Sequence, residues 1–162
     1  MSVSRDIKYL NLARHFSTWS KDPSTQVGAV VIGKQGQVLS QGYNGFPRGV
    51  DDNAERYDNR VTKYKFVVHA EMNCIYNASY TGASLNGATL YVYGLPVCSE
   101  CAKGIIQVGI KRIVIPFITS ESTPDKWKAS ANTAHEMFIE AGVKYQSLDI
   151  ETEKFVFDLV NK

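Results

Sequence analysis

Two short stretches carry residue types at spacings that can do chemistry: His69-Ala70-Glu71 and Pro96-Val97-Cys98-Ser99-Glu100-Cys101. Neutral imidazole and thiolate are the ligands zinc prefers, and a catalytic zinc site keeps three protein ligands plus one position for water. His69, Cys98 and Cys101 make up such a set. Two cysteines three apart at the start of a helix can turn both sulfurs toward one point, and the positive end of the helix dipole favours the thiolates a metal needs. Glu71, two residues beyond His69, can reach the open position without occupying the metal. A carboxylate placed there can take a proton from an activated water and deliver it to a substrate nitrogen. A Cys-x-x-Cys pair also serves redox dithiols and structural zinc sites. A redox pair has no use for His69 and Glu71. A structural zinc needs a fourth ligand, for which Cys74 is the one spare thiol, and its place five residues past His69 reads as core-facing.

The elements that must position these residues alternate helix and strand. Ile7, Leu10, Ala13, Phe16 and Trp19 fall at helical spacing, which predicts a first helix over 4–19. The β-branched run 27–32, the turn Gly33-Lys-Gln-Gly36 and a second strand over 37–42 read as an antiparallel hairpin. Residues 43–65 form the longest polar stretch. Loops beyond ~12–15 residues in compact domains are usually functional or disordered. A helix is predicted from His69 to Tyr80, a strand over 88–93, and a helix from Cys98 to Val108 stopped by Gly109. A strand over 112–116, a helix over 129–141 ended by Gly142 and a strand over 143–148 follow. Phe155, Val156, Leu159 and Val160 suggest a terminal amphipathic helix over 151–160. Strand–helix–strand alternation after the hairpin implies parallel pairing with right-handed crossovers. The expected fold is α/β, with three layers built on a mixed five-stranded sheet.

Composition narrows the field. The chain has 162 residues, a length that suits one domain over 1–162, and 18 Lys+Arg against 16 Asp+Glu give a formal +2. Such scattered, nearly balanced charge does not announce a nucleic-acid surface. It leaves room for a nucleotide, whose few charges two or three local groups can meet. No apolar run approaches the ~20 residues that span a bilayer, and the opening MSVSRDIKYL has no apolar signal core. The expectation is a cytoplasmic protein with no membrane partner. Three cysteines are too few and too odd in number to staple a secreted scaffold.

His-x-Glu followed by Pro-Cys-x-x-Cys is the known signature of zinc deaminases, and the chain resembles the deoxycytidylate (dCMP) deaminases of the cytidine deaminase superfamily. The resemblance rests also on Ser20-Lys-Asp-Pro23, Gln26-Val-Gly-Ala29, Gly42-Tyr-Asn-Gly-Phe-Pro47, His69-Ala-Glu-Met-Asn73, Ala88-Thr-Leu-Tyr-Val92 and Cys101-Ala-Lys-Gly-Ile-Ile-Gln107, then Gly109-Ile-Lys. These segments cover most of 20–115 in family order. One departure stands out: Val97 separates the proline from the first cysteine ligand, which changes how the chain approaches that helix. The ligands keep their mutual spacing.

The resemblance implies a cytidine-deaminase-like α/β/α fold and hydrolysis of dCMP to dUMP and ammonia, supplying dUMP for thymidylate synthesis. Water activated by zinc would attack C4, with Glu71 shuttling protons to N3 and the leaving amine. Ala70 is expected near the pyrimidine edge, and Asn44 matches the superfamily asparagine that contacts the nucleotide. Lys21, Ser24 and Thr25 are candidates for the 5′-phosphate, with Arg56 and Arg60 behind them. Gly42, Tyr43, Asn44 and Gly45 correspond to the stretch associated with a regulatory nucleotide, which implies activation by dCTP and inhibition by dTTP with Mg²⁺. Family members are typically homo-oligomers, often hexamers. Some viral relatives hold a second, structural zinc with extra Cys and His. This sequence has no such set, so one zinc per chain is expected.

The other readings are deamination of a 5-substituted dCMP or a free nucleoside, a tRNA adenosine deaminase, and a silent zinc-stabilised nucleotide-binding module. The weak positive charge speaks against tRNA, and Glu71 speaks against the silent module. His15 and His135 have no partner at ligand spacing and read as ordinary histidines. Lys103, Lys111 and Arg112 read as a solvated face, and Ser99 and Glu100 as residues with no catalytic role. Gly42 and Gly45 also suit plain turns. Trp19 and Trp127 read as packing residues. Tyr43, Phe46, Tyr57, Tyr64 and Phe66 suit either base stacking or an oligomer contact.

Overall fold

The computed structural model describes residues 2–117 and 123–158. Its core is a six-stranded sheet in the order β2-β1-β3-β4-β5-β6. The strands are β1 (Gly28–Ile32), β2 (Val38–Tyr43), β3 (Thr89–Tyr93), β4 (Arg112–Pro116), β5 (Lys144–Asp149) and β6 (Lys154–Asp158). β1 runs antiparallel to both β2 and β3, while β3, β4 and β5 are parallel. The hairpin and the parallel crossovers are those expected from sequence.

One element differs in kind. The segment read as a terminal helix contains β6, antiparallel to β5 with Ser147 opposite Phe157 and Asp149 opposite Lys154. This sixth strand is why the sheet exceeds the five expected. Leu159 and Val160, the other half of the helical pattern, lie outside the described residues. The apolar spacing fits either element over so few residues, and Phe155-Val156-Phe157 is a run of strand formers. Pairing with an otherwise open edge of β5 decides it.

Six helices complete the described chain: α1 (Val3–Ser17), α2 (Ala54–Asp58), α3 (Arg60–Phe66), α4 (Ala70–Thr81), α5 (Ser99–Gln107) and α6 (Asp125–Ala141). The polar stretch 43–65 thus holds two short helices. Each starts on an asparagine whose side chain accepts a backbone N–H of the first turn, Asn53 from Arg56 and Asn59 from Thr62. Both faces of the sheet are covered, which is why β1 reads as an unbroken apolar run. On one face, Val30, Ile32, Tyr91, Val114 and Leu148 pack with Leu10 and Ala13 of α1. On the other, Ala29, Val31, Leu90, Val92, Ile113 and Ile115 pack with Ala70, Cys74, Ile105 and Phe138 of α4, α5 and α6. These are the three layers expected from sequence.

α1 is also pinned by charge. The buried Asp6 carboxylate accepts two hydrogen bonds from the Arg112 guanidinium, at 2.9 and 2.8 Å, and one from the Tyr91 hydroxyl at 2.5 Å. Its contact with β1 is so close that a Cβ on Gly28 would stand 2.0 Å from the Ala13 carbonyl oxygen and 2.4 Å from the Ser17 nitrogen. Backbone cannot give way there. Gly28→Ala is therefore expected to lift α1 from the sheet and cost about 3 kcal/mol, read as a fall in the denaturation midpoint with an unchanged slope.

Candidate active site

α4 and α5 point their N-termini at one place, as the sequence suggests. His69 is the N-cap of α4 and Cys98 that of α5, where its sulfur accepts the Cys101 N–H. The Nδ1 of His69 lies 3.4 Å from Cys98 Sγ and 3.4 Å from Cys101 Sγ. Zinc bonds of about 2.3 Å to sulfur and 2.0–2.1 Å to nitrogen, at tetrahedral angles, call for N···S separations of roughly 3.6 Å. The three side chains therefore fit a zinc ion with little adjustment, and their ligand atoms all lie within 4.8 Å of one another.

Cys74 is not part of this group. It is buried on the far side of α4 and donates its S–H to the Ala29 carbonyl at 3.1 Å. A fourth protein ligand from that thiol is thus ruled out, and the group among the described residues has the three ligands of a catalytic site. Between the two cysteines, hydrogen bonding from the Cys101 thiol is the largest influence on Cys98. With the His69 contact and the Cys101 N–H it outweighs burial and brings the Cys98 thiol down to about 4, while the Cys101 thiol is pushed up. Metal ligation takes both cysteines as thiolates, so metal uptake releases protons.

Glu71 is 4% exposed, in the first turn of α4 beside this group. Burial raises its carboxyl above the ordinary range, His69 opposes that rise, and Cys98 adds to it. Glu71, His69, Ala70 and Cys98 line a cavity of about 620 Å³. Its walls include Asn44, Leu95, Pro96 and Trp127, whose ring meets the His69 ring edge-on with centroids 6.3 Å apart. Trp127, expected to be a packing residue, is a wall of the site.

Asn44 is buried, and its amide orientation is defined by its partners. Oδ1 accepts the Val27 N–H at 2.9 Å, while Nδ2 donates to the Thr25 carbonyl at 2.9 Å. The other amide hydrogen faces Asp22 Oδ2 at 3.5 Å, so what Asn44 can offer a ligand is a lone pair on Oδ1. The loop itself is organised by Asp22. Burial would raise its carboxyl, but the N–H groups of Ser24 and Thr25, the Ser24 hydroxyl and the Lys63 ammonium hold it below the usual carboxylate range.

The phosphate candidates separate. Ser24 and Thr25 line the cavity. Lys21 does not line it; its side chain, 67% exposed, pairs with Asp52 at 3.0 Å. Arg56 lies outside the wall as well, with its guanidinium over the Phe66 ring and bonded to the Asp51 carbonyl. Arg60 does line it, joined by three residues that sequence reasoning passed over: Lys63, Tyr64 in that role, and Lys126. Lys63 is 6% exposed, and its position in a polar stretch gave no hint of burial.

The remaining residues have simpler places. Gly42 belongs to β2 where it meets α4: a Cβ there would stand 2.7 Å from the Ala70 carbonyl oxygen and 2.7 Å from the Cys74 nitrogen. Gly45 forms an isolated bridge with Val68. Tyr43 is partly exposed beside Trp19. Phe46 stacks on the buried Tyr57 with centroids 4.4 Å apart and leans on Phe66, so these three pack on one another and do not line the cavity. His15 packs against Phe16 and Trp19, and His135 against Tyr145 and Phe157.

Comparison with known proteins places this geometry. Residues 3–116 match the family model for the cytidine and deoxycytidylate deaminase zinc-binding region. The chain is 38% identical to an uncharacterized deaminase of Aliivibrio fischeri over 91% of its own length and 95% of that protein's. It is likewise 38% identical to the deoxycytidylate deaminase of Homo sapiens, over 86% of this chain and 76% of the human one. Among solved structures it is similar to the dCMP deaminase of cyanophage S-TIM5, with a TM-score of 0.67 and 25% identity over 90% of this chain and 98% of that one.

Proposed function

The chain belongs to the zinc-binding cytidine and deoxycytidylate deaminases, and from that premise we propose that it hydrolyses dCMP to dUMP and ammonia. The observation that carries this reading is the buried Glu71 beside a three-ligand zinc site at the floor of a nucleotide-sized cavity. His69, Cys98 and Cys101 would hold a zinc ion, which would supply the Lewis acidity that makes water a nucleophile near neutral pH. Glu71 accepts a proton as the water oxygen bonds to C4. It delivers that proton to N3, then takes the proton of the new C4 hydroxyl and passes it to the amine, and the C4–N4 bond breaks to release ammonia. Burial keeps bulk water from competing for these transfers. Ala70, in the first turn of α4, presents its backbone to the pyrimidine edge. The Oδ1 lone pair of Asn44 accepts from a sugar hydroxyl, an acceptor-only role that its two spent amide hydrogens impose.

Regulation by dCTP and dTTP with Mg²⁺ at Gly42–Gly45, and assembly as a homo-oligomer with a hexamer favoured, complete the proposal. The regulatory reading is supported by position. β2 lies against the first turn of α4, and the Asn73 side chain of α4 donates to the Tyr43 carbonyl at 2.7 Å. A nucleotide bound there would bear on the helix that carries Glu71.

Ammonia release from zinc-replete protein tests the reading, with dCMP, deoxycytidine, dCTP and cytosine as substrates, alone and with Mg²⁺ plus sub-stoichiometric dCTP or dTTP. Turnover is expected for dCMP above the others, raised by dCTP and cut by dTTP. Turnover insensitive to either triphosphate would remove the regulatory site and leave the enzyme. Absence of turnover with dCMP would overturn the substrate.

A further inference from the structure

The charged groups around the cavity divide into those already engaged and those left over. Lys63 is engaged: its ammonium sits 3.2–3.3 Å from the two Asp22 oxygens and 2.8 Å from Ser24 Oγ. Asp125, the carboxylate on the α6 side of the rim, pairs with Lys128 at 2.9 Å. Arg60 and Lys126 remain. Both line the cavity, and neither has a carboxylate partner within ion-pair distance among the described residues. Between them stands Tyr64, four residues from Arg60 on α3 and so on the same helical face.

Lys126 Nζ donates to the Tyr64 hydroxyl oxygen at 2.6 Å. An ammonium has no lone pair, so the phenol's own hydrogen is free for a ligand. That hydrogen bond is also the largest influence on Tyr64, and with the nearby Lys126, Lys63 and Arg60 charges it makes the phenol more acidic and a stronger donor. Two cations with no carboxylate partner among the described residues, and a phenol O–H, thus line the same cavity as the His69–Cys98 group. Their charge matches a phosphomonoester, which carries about −1.5 to −2 at neutral pH. Arg60 brings a planar fork suited to two phosphate oxygens, and Lys126 a point charge.

We propose that Arg60, Tyr64 and Lys126 form a phosphomonoester clasp that makes this enzyme select a nucleoside monophosphate over the free nucleoside. The inference rests on the reading of the site as a cytosine-nucleotide deaminase. It replaces Lys21, whose charge is met by Asp52 outside the cavity.

The test compares the zinc-loaded wild type with Arg60→Ala, Lys126→Ala, Tyr64→Phe and, as a control, Lys21→Ala. Two readouts are used: kcat/KM for dCMP and for deoxycytidine, and calorimetric affinity for dUMP and for deoxyuridine. Loss of either cation is expected to weaken dUMP binding and kcat/KM for dCMP by about 10–100-fold, chiefly through KM. That is the range for one charge-assisted phosphate contact. Deoxyuridine affinity stays within twofold, Tyr64→Phe loses about fivefold on the phosphate alone, and Lys21→Ala loses nothing. A wild type that prefers dCMP while both cation variants keep its full preference would overturn the clasp and leave the nucleotide reading intact. Equal losses on dUMP and deoxyuridine would show a merely structural role and overturn it too. A wild type that handles deoxycytidine as well as dCMP would instead overturn the nucleotide reading, and the clasp with it.

Discussion

Glu71→Ala is expected to lower kcat by about 10³–10⁴-fold, the upper part of what a positioned general acid–base supplies, while the protein keeps one zinc per chain. Both halves of that result matter. The carboxylate contributes no ligand atom to the His69–Cys98–Cys101 group, so metal analysis of the purified variant should match wild type. Its burial at 4% exposure, next to a thiolate, is unfavourable to the charged form. Removing it should therefore leave the melting temperature unchanged or raise it by a few degrees, a gain in stability where function is lost. Glu71→Gln, which keeps the shape and loses the proton, should fall as far in kcat. Activity within tenfold of wild type in either variant would defeat the proton-transfer role, and loss of zinc would show that Glu71 holds the metal.

The opposite pattern is expected for the ligands. Cys98→Ala and Cys101→Ala should drop zinc below about 0.1 per chain, and both activity and stability with it. A ligand at a thousand times its Kd stabilises a fold by about 4 kcal/mol. At about 2–4 °C per kcal/mol for a chain of this size, the melting temperature should fall by roughly 8–16 °C. Chelation of wild type gives an independent measure, because it removes the ion and leaves every side chain in place. Its melting temperature should fall into the same range and recover on adding zinc back. A chelated protein that melts as the holoprotein does would show that the ion contributes nothing to the fold.

Much of this arrangement is legible in the sequence, and the reason is locality. His69 with Glu71, and Cys98 with Cys101, are neighbours in sequence, and the helices they begin are capped by these same residues. The β1–β2 hairpin and the parallel strands likewise follow from short-range pattern. The misses are long-range. Lys63 is defined by Asp22, 41 residues away, and Lys126 by Tyr64, 62 residues away. Nothing near either lysine in sequence distinguishes it from a solvated one. β6 differs from the helix that its spacing suggests because ten residues of apolar pattern support either period, and only the edge of β5 selects the strand. The helices of 43–65 were legible in principle through their asparagine caps but are too short to show periodicity.

The Asp6 contacts bear on how the chain is made. α1 leaves the ribosome ahead of its anchor: the hydroxyl and guanidinium that donate to Asp6 lie 85 and 106 residues further along, on β3 and β4. At about 5–20 residues per second of synthesis, the helix waits roughly 5–20 s for its anchor. Until then Asp6 has no cation to meet, and of the sheet Leu10 and Ala13 can reach only Val30 and Ile32 of the β1–β2 hairpin. α1 is thus made well before its charged anchor, and a nascent chain arrested before β4 leaves part of the helix's apolar stripe uncovered to whatever chaperone is at hand.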